Sequence, residues 1–352
     1  MDAFFLKLGR TVRERWSQTN FSPEAFPRLA REAMEQTPPC EQVEVAGLVR
    51  DFLLNEEQPA QSQSGFGQPE LIVFEDARFY IQVLFWLDGS TDIHQHKFSG
   101  AFHVLEGASI HARFAFRDPR IITARMRLGR LEMEECELLE RGRTVEIHSG
   151  SGFVHSLFHL ETPSLTVVLR THTDPGTGPQ FTYLPPHLAL DPFHNDPLTN
   201  RRKQLLDVLE AVGDPAYPEI LAQMLGNLDF ERGFFVLQNG VSHLRALGCW
   251  EEVWEVFARR HGQLAEFVAP TLEEILRRDA LVALRASVRD WEHRFLLALL
   301  LNVPGRAEVL RLVAQRFEGE PGAVLARWFE ELEEAEQGVF EEIQSLFPQD
   351  FK

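Results

Sequence analysis

The stretch GSTDIHQHKFSGAFHVLEG, residues 89–107, decides how the middle of this chain folds. It places His94 and His96 two residues apart, between a glycine-bearing turn and an apolar run that ends at Glu106 and Gly107. Residues i and i+2 of a β-strand point to the same face, so the two imidazoles can converge on one point. A His-x-His pair alone is a weak signal of a metal site, and the surrounding sequence has to supply the rest of the argument.

Short β-rich runs surround this stretch, from residue 70 to about residue 173. They are rich in Val, Ile, Leu and Phe and are separated by turn residues, which predicts an antiparallel sandwich or barrel. The runs read ELIVFE, ARFYIQVLFWL, GAFHVLE, SIHARFAFR, RMRLGRLEMEE, TVEIHS, FVHSLFHL and SLTVVLR.

The sequence on either side of these runs has a helical pattern. SPEAFPRLAREAMEQT carries helix-start signals, and the polar segment QPAQSQSGFGQPE predicts a mobile loop. Beyond a proline-dense strap at 172–197, apolar residues recur at i, i+3 and i+4. We therefore expect an α+β fold in three segments: N-terminal helices and a mobile loop over 1–69, a metal-binding barrel over 70–190, and an all-α domain over 195–352.

The composition of the chain argues against several classes of partner. Its 35 Lys and Arg stand against 53 Asp and Glu, and the resulting net charge of −18 offers no attraction to nucleic acid or to anionic membranes. Its 3 cysteines are far apart in the sequence, which favours a reducing cytoplasm over a disulfide scaffold. FLLALLLNVPG (295–305) is too short to span a membrane and predicts a buried helix.

A third histidine for the site has to come from another strand that faces the same interior. IHSGSGFVHSLFHL, residues 147–160, offers His155 after a glycine-rich turn, with His148 and His159 as nearby competitors. Two histidines from one strand and one from a later strand form a facial triad. Such a triad leaves about three positions of an octahedral metal open for substrate and dioxygen.

Two segments of the chain resemble the two sequence motifs of the cupin superfamily. FYIQVLFWLDGSTDIHQHKFSGAFHVLEG (79–107) is similar to the first motif and GRTVEIHSGSGFVHSLFHLETPSLTVVLR (142–170) to the second, specifically in the thiol dioxygenases of the cysteine dioxygenase type. The resemblance, which covers residues 70–173, implies a double-stranded β-helix, or jelly roll. It also implies a non-haem Fe(II) bound by His94, His96 and His155, although zinc, nickel or manganese would suit similar donors.

Gly100 stands where most cupins have a further ligand. They place a glutamate four or five residues after the second histidine, which corresponds to Gly100 or Ala101 in this sequence. Thiol dioxygenases lack that carboxylate, so Gly100 matches their pattern. Three neutral imidazoles leave Fe(II) its full charge, and that charge favours the binding of a substrate thiolate.

The resemblance also implies residues that bind or orient the substrate. The family uses an arginine upstream of the first motif, for which Arg78 is the nearest match and Arg170 a second candidate. Either guanidinium can form a bidentate pair with a carboxylate. His159 and His172 are expected to support the ligands from behind.

The last strand of the predicted barrel departs from the family pattern. Its Ser-x-His-x-Tyr positions hold Thr166, Val168 and Arg170, or Val168, Arg170 and His172, depending on the register. Neither register supplies a tyrosine, which weakens the argument for a thiol substrate.

Two more histidines of the barrel are not assigned to the site. His103 lies out of phase with Gly100 on its strand, which predicts an exterior or structural position. Nothing near His111 in the sequence indicates a role for it.

The sequence therefore predicts a cytoplasmic, Fe(II)-dependent dioxygenase that oxidises a small thiol or an amino-acid-like carboxylic acid with O2. One alternative is a metal-dependent cupin oxygenase or isomerase that acts on a non-thiol metabolite. Another is a non-catalytic metal- or ligand-binding protein whose helical domain binds a protein partner. We expect that domain to cap the barrel or to mediate a homodimer, and we expect neither nucleic acid nor membrane as partner.

Overall fold

The computed structural model describes residues 3–61, 66–87, 89, 92–193 and 196–335. Helices α1 (Ala3–Ser17), α2 (Phe26–Gln36), α3 (Pro39–Gln42) and α4 (Val45–Leu54) come first. The strands follow: β1 (Glu70–Glu75), β2 (Phe79–Trp86), β3 (Ile93–His96), β4 (Gly100–Glu106), β5 (Ser109–Thr123), β6 (Met126–Leu139), β7 (Thr144–Ile147), β8 (Gly150–His159), β9 (Ser164–Thr171), β10 (Thr182–Leu184) and β11 (Leu188–Leu190). The last helices are α5 (Pro197–Val212), α6 (Tyr217–Asn227), α7 (Phe230–Ala246), α8 (Trp250–His261), α9 (Val268–Ser287), α10 (Trp291–Asn302), α11 (Arg306–Arg316) and α12 (Pro321–Ala335).

The described residues group into two compact units. The first holds residues 3–115, 133–180 and 287–335, and the second holds 116–132 and 181–286. The domain boundaries inferred from the sequence stay a prediction, because units defined by contacts need not coincide with domains. Parts of the predicted mobile loop and of the predicted all-α domain, residues 62–65 and 336–352, lie outside the described residues.

The first sheet of the first unit separates a helical layer from the barrel interior. Its strands are antiparallel and ordered β1-β2-β9-β4-β7. Alternate residues of β9 point to opposite faces, as the two-residue period of a strand requires. Leu165, Val167 and Leu169 pack with residues of α1, α2 and α4, whereas Thr166 and Val168 face the interior.

The second sheet completes the barrel of this unit. Strand β8 pairs with β3 on one side and with β5 on the other, and β6 lies beside β5. Leu84, Phe102 and Val168 of the first sheet share one apolar cluster with Leu139 and Phe153 of the second. The predicted fold class is confirmed: an antiparallel β-barrel preceded by helices and followed by an all-α region.

Each of the two units also contains helices that follow the barrel strands in the sequence. In the first unit, every residue from Phe295 to Asn302 of α10 is buried, as the apolar run there predicted. In the second unit, apolar side chains of α5–α9 form one core with Met126, Leu128 and Leu188. The strap at 172–197 contains two strands, β10 and β11, which the sequence analysis missed because three residues carry too little alternation to be recognised. Within the described residues, no helix has both the length and the apolar character of a transmembrane segment.

Gly100 is required by the close approach of two strands. It begins β4, where it pairs with Arg170 of β9 on one side and with Ile147 of β7 on the other. A Cβ atom at this position would lie 2.0 Å from the carbonyl oxygen of Leu169. Because that oxygen belongs to the backbone of a central strand, it cannot move aside cheaply. The absence of a carboxylate at position 100 therefore follows from strand packing.

Gly100→Ala is expected to lower the free energy of unfolding by about 1–3 kcal/mol, the usual cost of inserting atoms into a packed interior. Urea unfolding of the purified variant measures this change. Gly152→Ala is the control, because nothing lies within 4 Å of the Cβ position at Gly152. Equal unfolding midpoints for the two variants would contradict the close-approach argument.

Candidate metal centre

The structure brings His94, His96 and His155 together inside the barrel. His94 of β3 lies directly opposite His155 of β8, whereas His96 lies opposite Gly150 after an irregularity in the pairing. Gly150 has a positive φ of 78°, a backbone conformation that glycine adopts without strain. One ligand atom from each histidine lies within 4.8 Å of the other two. These three residues therefore form a group that could hold a metal ion.

The spacing of two ring nitrogens suits a shared metal. The Nε2 atoms of His96 and His155 are 2.9 Å apart. Two ligand nitrogens at ~2.1 Å from one ion and at right angles to each other are ~3.0 Å apart. The distance between these nitrogens thus matches adjacent positions on one ion.

Local hydrogen bonds leave the Nε2 atom of His94 free to act as a ligand. Its Nδ1 atom lies 3.1 Å from the carbonyl oxygen of Asp92. A carbonyl only accepts, so Nδ1 carries the proton and Nε2 carries the lone pair. That Nε2 atom is buried and has no hydrogen-bond partner among the described residues. The tautomer is the one that a metal ligand needs.

Burial keeps the three imidazoles uncharged. Loss of solvent lowers the pKa of His94 and lowers those of His96 and His155 further, with a smaller contribution from the neighbouring histidines. Neutral imidazole is the form that binds metals. The group is therefore ready to coordinate a cation at neutral pH.

His111 and Glu137 extend the site behind His155. Nε2 of His111 lies 3.2 Å from Nδ1 of His155, and Nδ1 of His111 lies 3.1 Å from Oε1 of Glu137. The sequence analysis missed both residues because the contact joins the consecutive strands β5 and β6 to β8, and the sequence alone does not indicate that β8 is their neighbour. The one available signal was that His111 and Glu137 lie on neighbouring runs with β-character.

A small cavity of about 40 Å³ adjoins the three histidines. One water-sized occupant needs ~10–15 Å³, so the cavity suits a small molecule. Among the described residues that line it there is no lysine or arginine, and Asp92 is the only acid. The polar side chains of the wall are Gln82, Thr166 and His159, and the apolar ones are Phe66, Leu84, Trp86, Phe98, Phe102, Ile147, Leu157 and Val168.

His159 lies on the cavity wall rather than behind a ligand histidine. Its Nδ1 atom is 3.0 Å from Oγ of Ser109 and 3.1 Å from Oγ of Ser164, and its ring stacks on Trp86 with centroids 4.6 Å apart. Burial lowers the pKa of His159 to about 3. The supporting role predicted for this residue stays a prediction, and its position also allows contact with a bound molecule.

The two candidate arginines lie outside the cavity lining. Arg78 is exposed and its guanidinium lies 4.3 Å above the ring of Phe21, because the residue belongs to the turn before β2. Arg170 follows Thr166 and Val168 on the inward face of β9, but its guanidinium lies 3.3 Å from the centroid of Phe98. Its nitrogens donate to the backbone carbonyl oxygens of Thr171 and His172. Neither guanidinium is directed into the cavity, where a substrate would bind, in this arrangement.

His103 and His172 lie away from His94, His96 and His155. His172 is exposed, and its Nε2 atom contacts the carbonyl oxygen of Asp76 at 3.0 Å. His103 lies outside the barrel interior, as its phase predicted, but it is fully buried and bonded to Thr144. Burial lowers the pKa of His103 to about 4. The supporting role predicted for His172 finds no contact with the ligand histidines among the described residues.

Comparisons with known proteins reach only part of the chain. Neither a protein-family model nor a curated protein matches this sequence. KdgF from Halomonas sp. is similar over 34% of this chain and 94% of its own, at 19% identity and a TM-score of 0.23. A cupin-2 domain protein from Shewanella frigidimarina is similar over 36% and 91%, at 15% identity and a TM-score of 0.22.

A third partial likeness is to hydroquinone 1,2-dioxygenase from Sphingomonas sp. TTNP3 with 4-hydroxybenzoate bound. It covers 31% of this chain and 68% of that one, at 10% identity and a TM-score of 0.23. Similarities of this size carry no argument about function. The description of the fold rests on its sheets, and that of the site on its own geometry.

We expect the free energy of unfolding of the metal-free protein to fall as the pH is lowered from about 7.5 to about 5. A histidine of the unfolded chain titrates near pH ~6.5, whereas burial holds the pKa of His159 at about 3 and that of His103 at about 4. Below pH ~6.5 the unfolded state therefore binds protons that the folded state does not bind, and folded stability is lost.

Urea unfolding across this pH range measures the loss of stability. His103→Gln removes one histidine whose pKa is lowered without touching the cavity, so its profile is expected to be shallower than that of the unaltered protein. A profile that stays flat down to about pH 5 would contradict the burial argument.

Proposed function

We propose that this chain is a metal-dependent oxygenase whose Fe(II) is bound by His94, His96 and His155 and which acts with O2 on a small, uncharged molecule. The observation that carries the proposal is the convergence on one point of three neutral imidazoles, of which His96 and His155 are buried and His94 is half-buried. A facial set of three nitrogen ligands leaves positions of an octahedral ion open. When bound, the iron would supply the binding and activation of O2.

The protein's own residues would shape the surroundings of the reaction. Trp86, Phe98 and Phe102 make most of the wall next to the histidines apolar, which excludes water from the open coordination positions. Confinement in a small cavity holds two reactants at close range, and proximity of this kind supplies a large part of many rate enhancements. The cavity thus favours oxidation of a molecule of only a few atoms.

The charge of the cavity supports an uncharged substrate over an amino-acid-like acid. A buried carboxylate needs a compensating cation, and the described lining residues provide none besides the metal. Asp92 would repel an anion at the cavity wall. A small neutral thiol satisfies these conditions, since the metal itself can deprotonate its sulfur.

A second candidate function is the oxidation or isomerisation of a non-thiol metabolite on the same metal. The inward face of β9 favours it, because the register places Thr166 and Val168 at the cavity and provides no tyrosine or histidine there. Thr166 already accepts a hydrogen bond from Nε1 of Trp86 at 3.2 Å. The groups that orient a thiol in the family that the sequence resembles are therefore absent from this strand.

His155→Ala is expected to abolish stoichiometric iron binding because it removes one of three ligand atoms. The measurement is elemental analysis after anaerobic loading with Fe(II) and desalting. His148→Ala is the control: His148 is an exposed histidine nearby in the sequence, and its Nε2 atom is bonded to Glu146 at 3.2 Å. Unchanged iron content in His155→Ala would remove this residue from the site.

Iron-loaded protein is expected to consume O2 faster with 2-mercaptoethanol than with 3-mercaptopropionate, because only the latter carries a carboxylate into a cavity without a cation. An oxygen electrode measures both rates, and His155→Ala taken through the same Fe(II) loading and desalting gives the background. Faster uptake with the carboxylate would contradict the charge argument. Full iron binding without uptake with either thiol would favour the non-thiol or the non-catalytic alternative.

A further inference from the structure

A carboxylate lies two hydrogen bonds behind the metal centre. His155 contacts His111 between Nδ1 and Nε2 at 3.2 Å, and His111 contacts Glu137 between Nδ1 and Oε1 at 3.1 Å. We propose that Glu137, acting through His111, strengthens His155 as a metal ligand and supplies the negative charge that the ligand set itself lacks. The inference rests on the proposed function, because it takes His155 to be a ligand.

The directions of the two hydrogen bonds follow from metal binding. A metal on Nε2 of His155 leaves the single proton of that neutral ring on Nδ1. His155 therefore donates to Nε2 of His111, which accepts with its lone pair. The proton of His111 is then on Nδ1 and is donated to the carboxylate of Glu137. Both hydrogen bonds, from His155 to His111 and from His111 to Glu137, are therefore donated towards the carboxylate.

The surroundings make these two bonds strong. His111 and His155 are 1% and 2% exposed, and Phe102 and Phe153 pack against His111. Hydrogen bonds in a dry interior are electrostatically stronger than in water, and each one polarises the next. Two imidazoles out of contact with water therefore connect the carboxylate of Glu137, which is itself 29% exposed, to the ring of His155.

Glu137 is held in its ionised form. Its hydrogen bond with His111 lowers the pKa of its carboxyl group, against a smaller opposing effect of burial. Its other oxygen, Oε2, lies 3.6 Å from a guanidinium nitrogen of Arg143. The carboxylate thus faces His111 with one oxygen and an exposed cation with the other.

A carboxylate behind a ligand histidine affects the metal differently from a carboxylate that is bound to the metal. A direct ligand would occupy a coordination position and lower the net charge of the site. A carboxylate behind a histidine raises the basicity of the ligand and fixes its ring, while every open position stays open. Loss of such a partner typically weakens metal binding by about 10–100-fold.

A nearby pair of residues serves as a control for a purely structural role of His111 and Glu137. The same two strands carry a second cross-strand pair, Arg113 and Glu135, with Nε of Arg113 2.9 Å from Oε2 of Glu135. Both of these side chains are exposed at 44% and 50%. Arg113 lies opposite His155 in the β5–β8 pairing, but no side-chain hydrogen bond joins Arg113 or Glu135 to a ligand histidine among the described residues. Glu135→Gln therefore controls for the loss of a carboxylate from β6.

The test measures metal affinity in Glu137→Gln, Glu135→Gln, His111→Phe and His111→Gln. Co(II) and Zn(II) binding is followed by competition with a chelator, together with the visible absorption of the Co(II) form and the urea unfolding of each metal-free variant. We expect Glu137→Gln to weaken binding by about 10-fold or more and to shift the Co(II) spectrum, with Glu135→Gln unchanged.

His111→Gln separates a positioning role from a merely structural one. Its amide oxygen can still accept a hydrogen bond from Nδ1–H of His155, whereas His111→Phe offers no acceptor. We therefore expect the glutamine variant to retain more affinity than the phenylalanine variant at matched unfolding midpoints.

Equal affinities and spectra for Glu137→Gln and Glu135→Gln would overturn the inference. A loss of metal-free stability in Glu137→Gln without a change in affinity would overturn it as well. In both cases the proposed function stands, provided that the unaltered protein binds iron and consumes O2. If the unaltered protein binds no metal at His94, His96 and His155, both proposals fail.

Discussion

The pairing of β3 with β8 is the interaction on which the rest of the site depends. It sets His94 opposite His155 and holds His96 within 2.9 Å of the same ring. The first sheet faces this pair of strands across an apolar cluster, so burial lowers the pKa of each imidazole and keeps it uncharged. Among the described residues, the buried Nε2 atom of His94 has no hydrogen-bond partner, and an unsatisfied buried polar atom is costly. A bound cation would relieve that cost and would thereby couple metal binding to folding.

Strand packing also explains the ligand that the centre lacks. Gly100 lies where β4 approaches β9 too closely for any side chain, so position 100 cannot contribute a carboxylate. The compensating charge comes from the opposite direction, through His111 of β5 and Glu137 of β6. An anion at that distance polarises a ligand without occupying a coordination position. The centre can thus combine a high charge on the metal with a strongly donating His155.

The cavity beside the three histidines is small and carries little charge on its described walls. It measures about 40 Å³, and those walls carry aromatic rings and uncharged polar groups next to the histidines, with Asp92 as the one acid. Arg170, the cation nearest in sequence to these walls on β9, binds backbone carbonyls and the ring of Phe98. Its charge reaches the site and helps to lower the pKa of His96. Under the proposed function, the small size and the lack of a lining cation favour an uncharged substrate over an amino-acid carboxylate.

The sequence by itself determined the strands of the barrel, the helices around it and the histidines that meet in it. Those features follow from short-range rules: the two-residue period of a strand, the helical spacing of apolar residues and the i, i+2 spacing of His94 and His96. The tertiary structure alone decided the contact of His111 with His155 and Glu137, the place of His159 on the cavity wall, and the position of Arg78 above Phe21. Each of these depends on which distant strands become neighbours and in what register, and a single sequence carries no local signal for that choice.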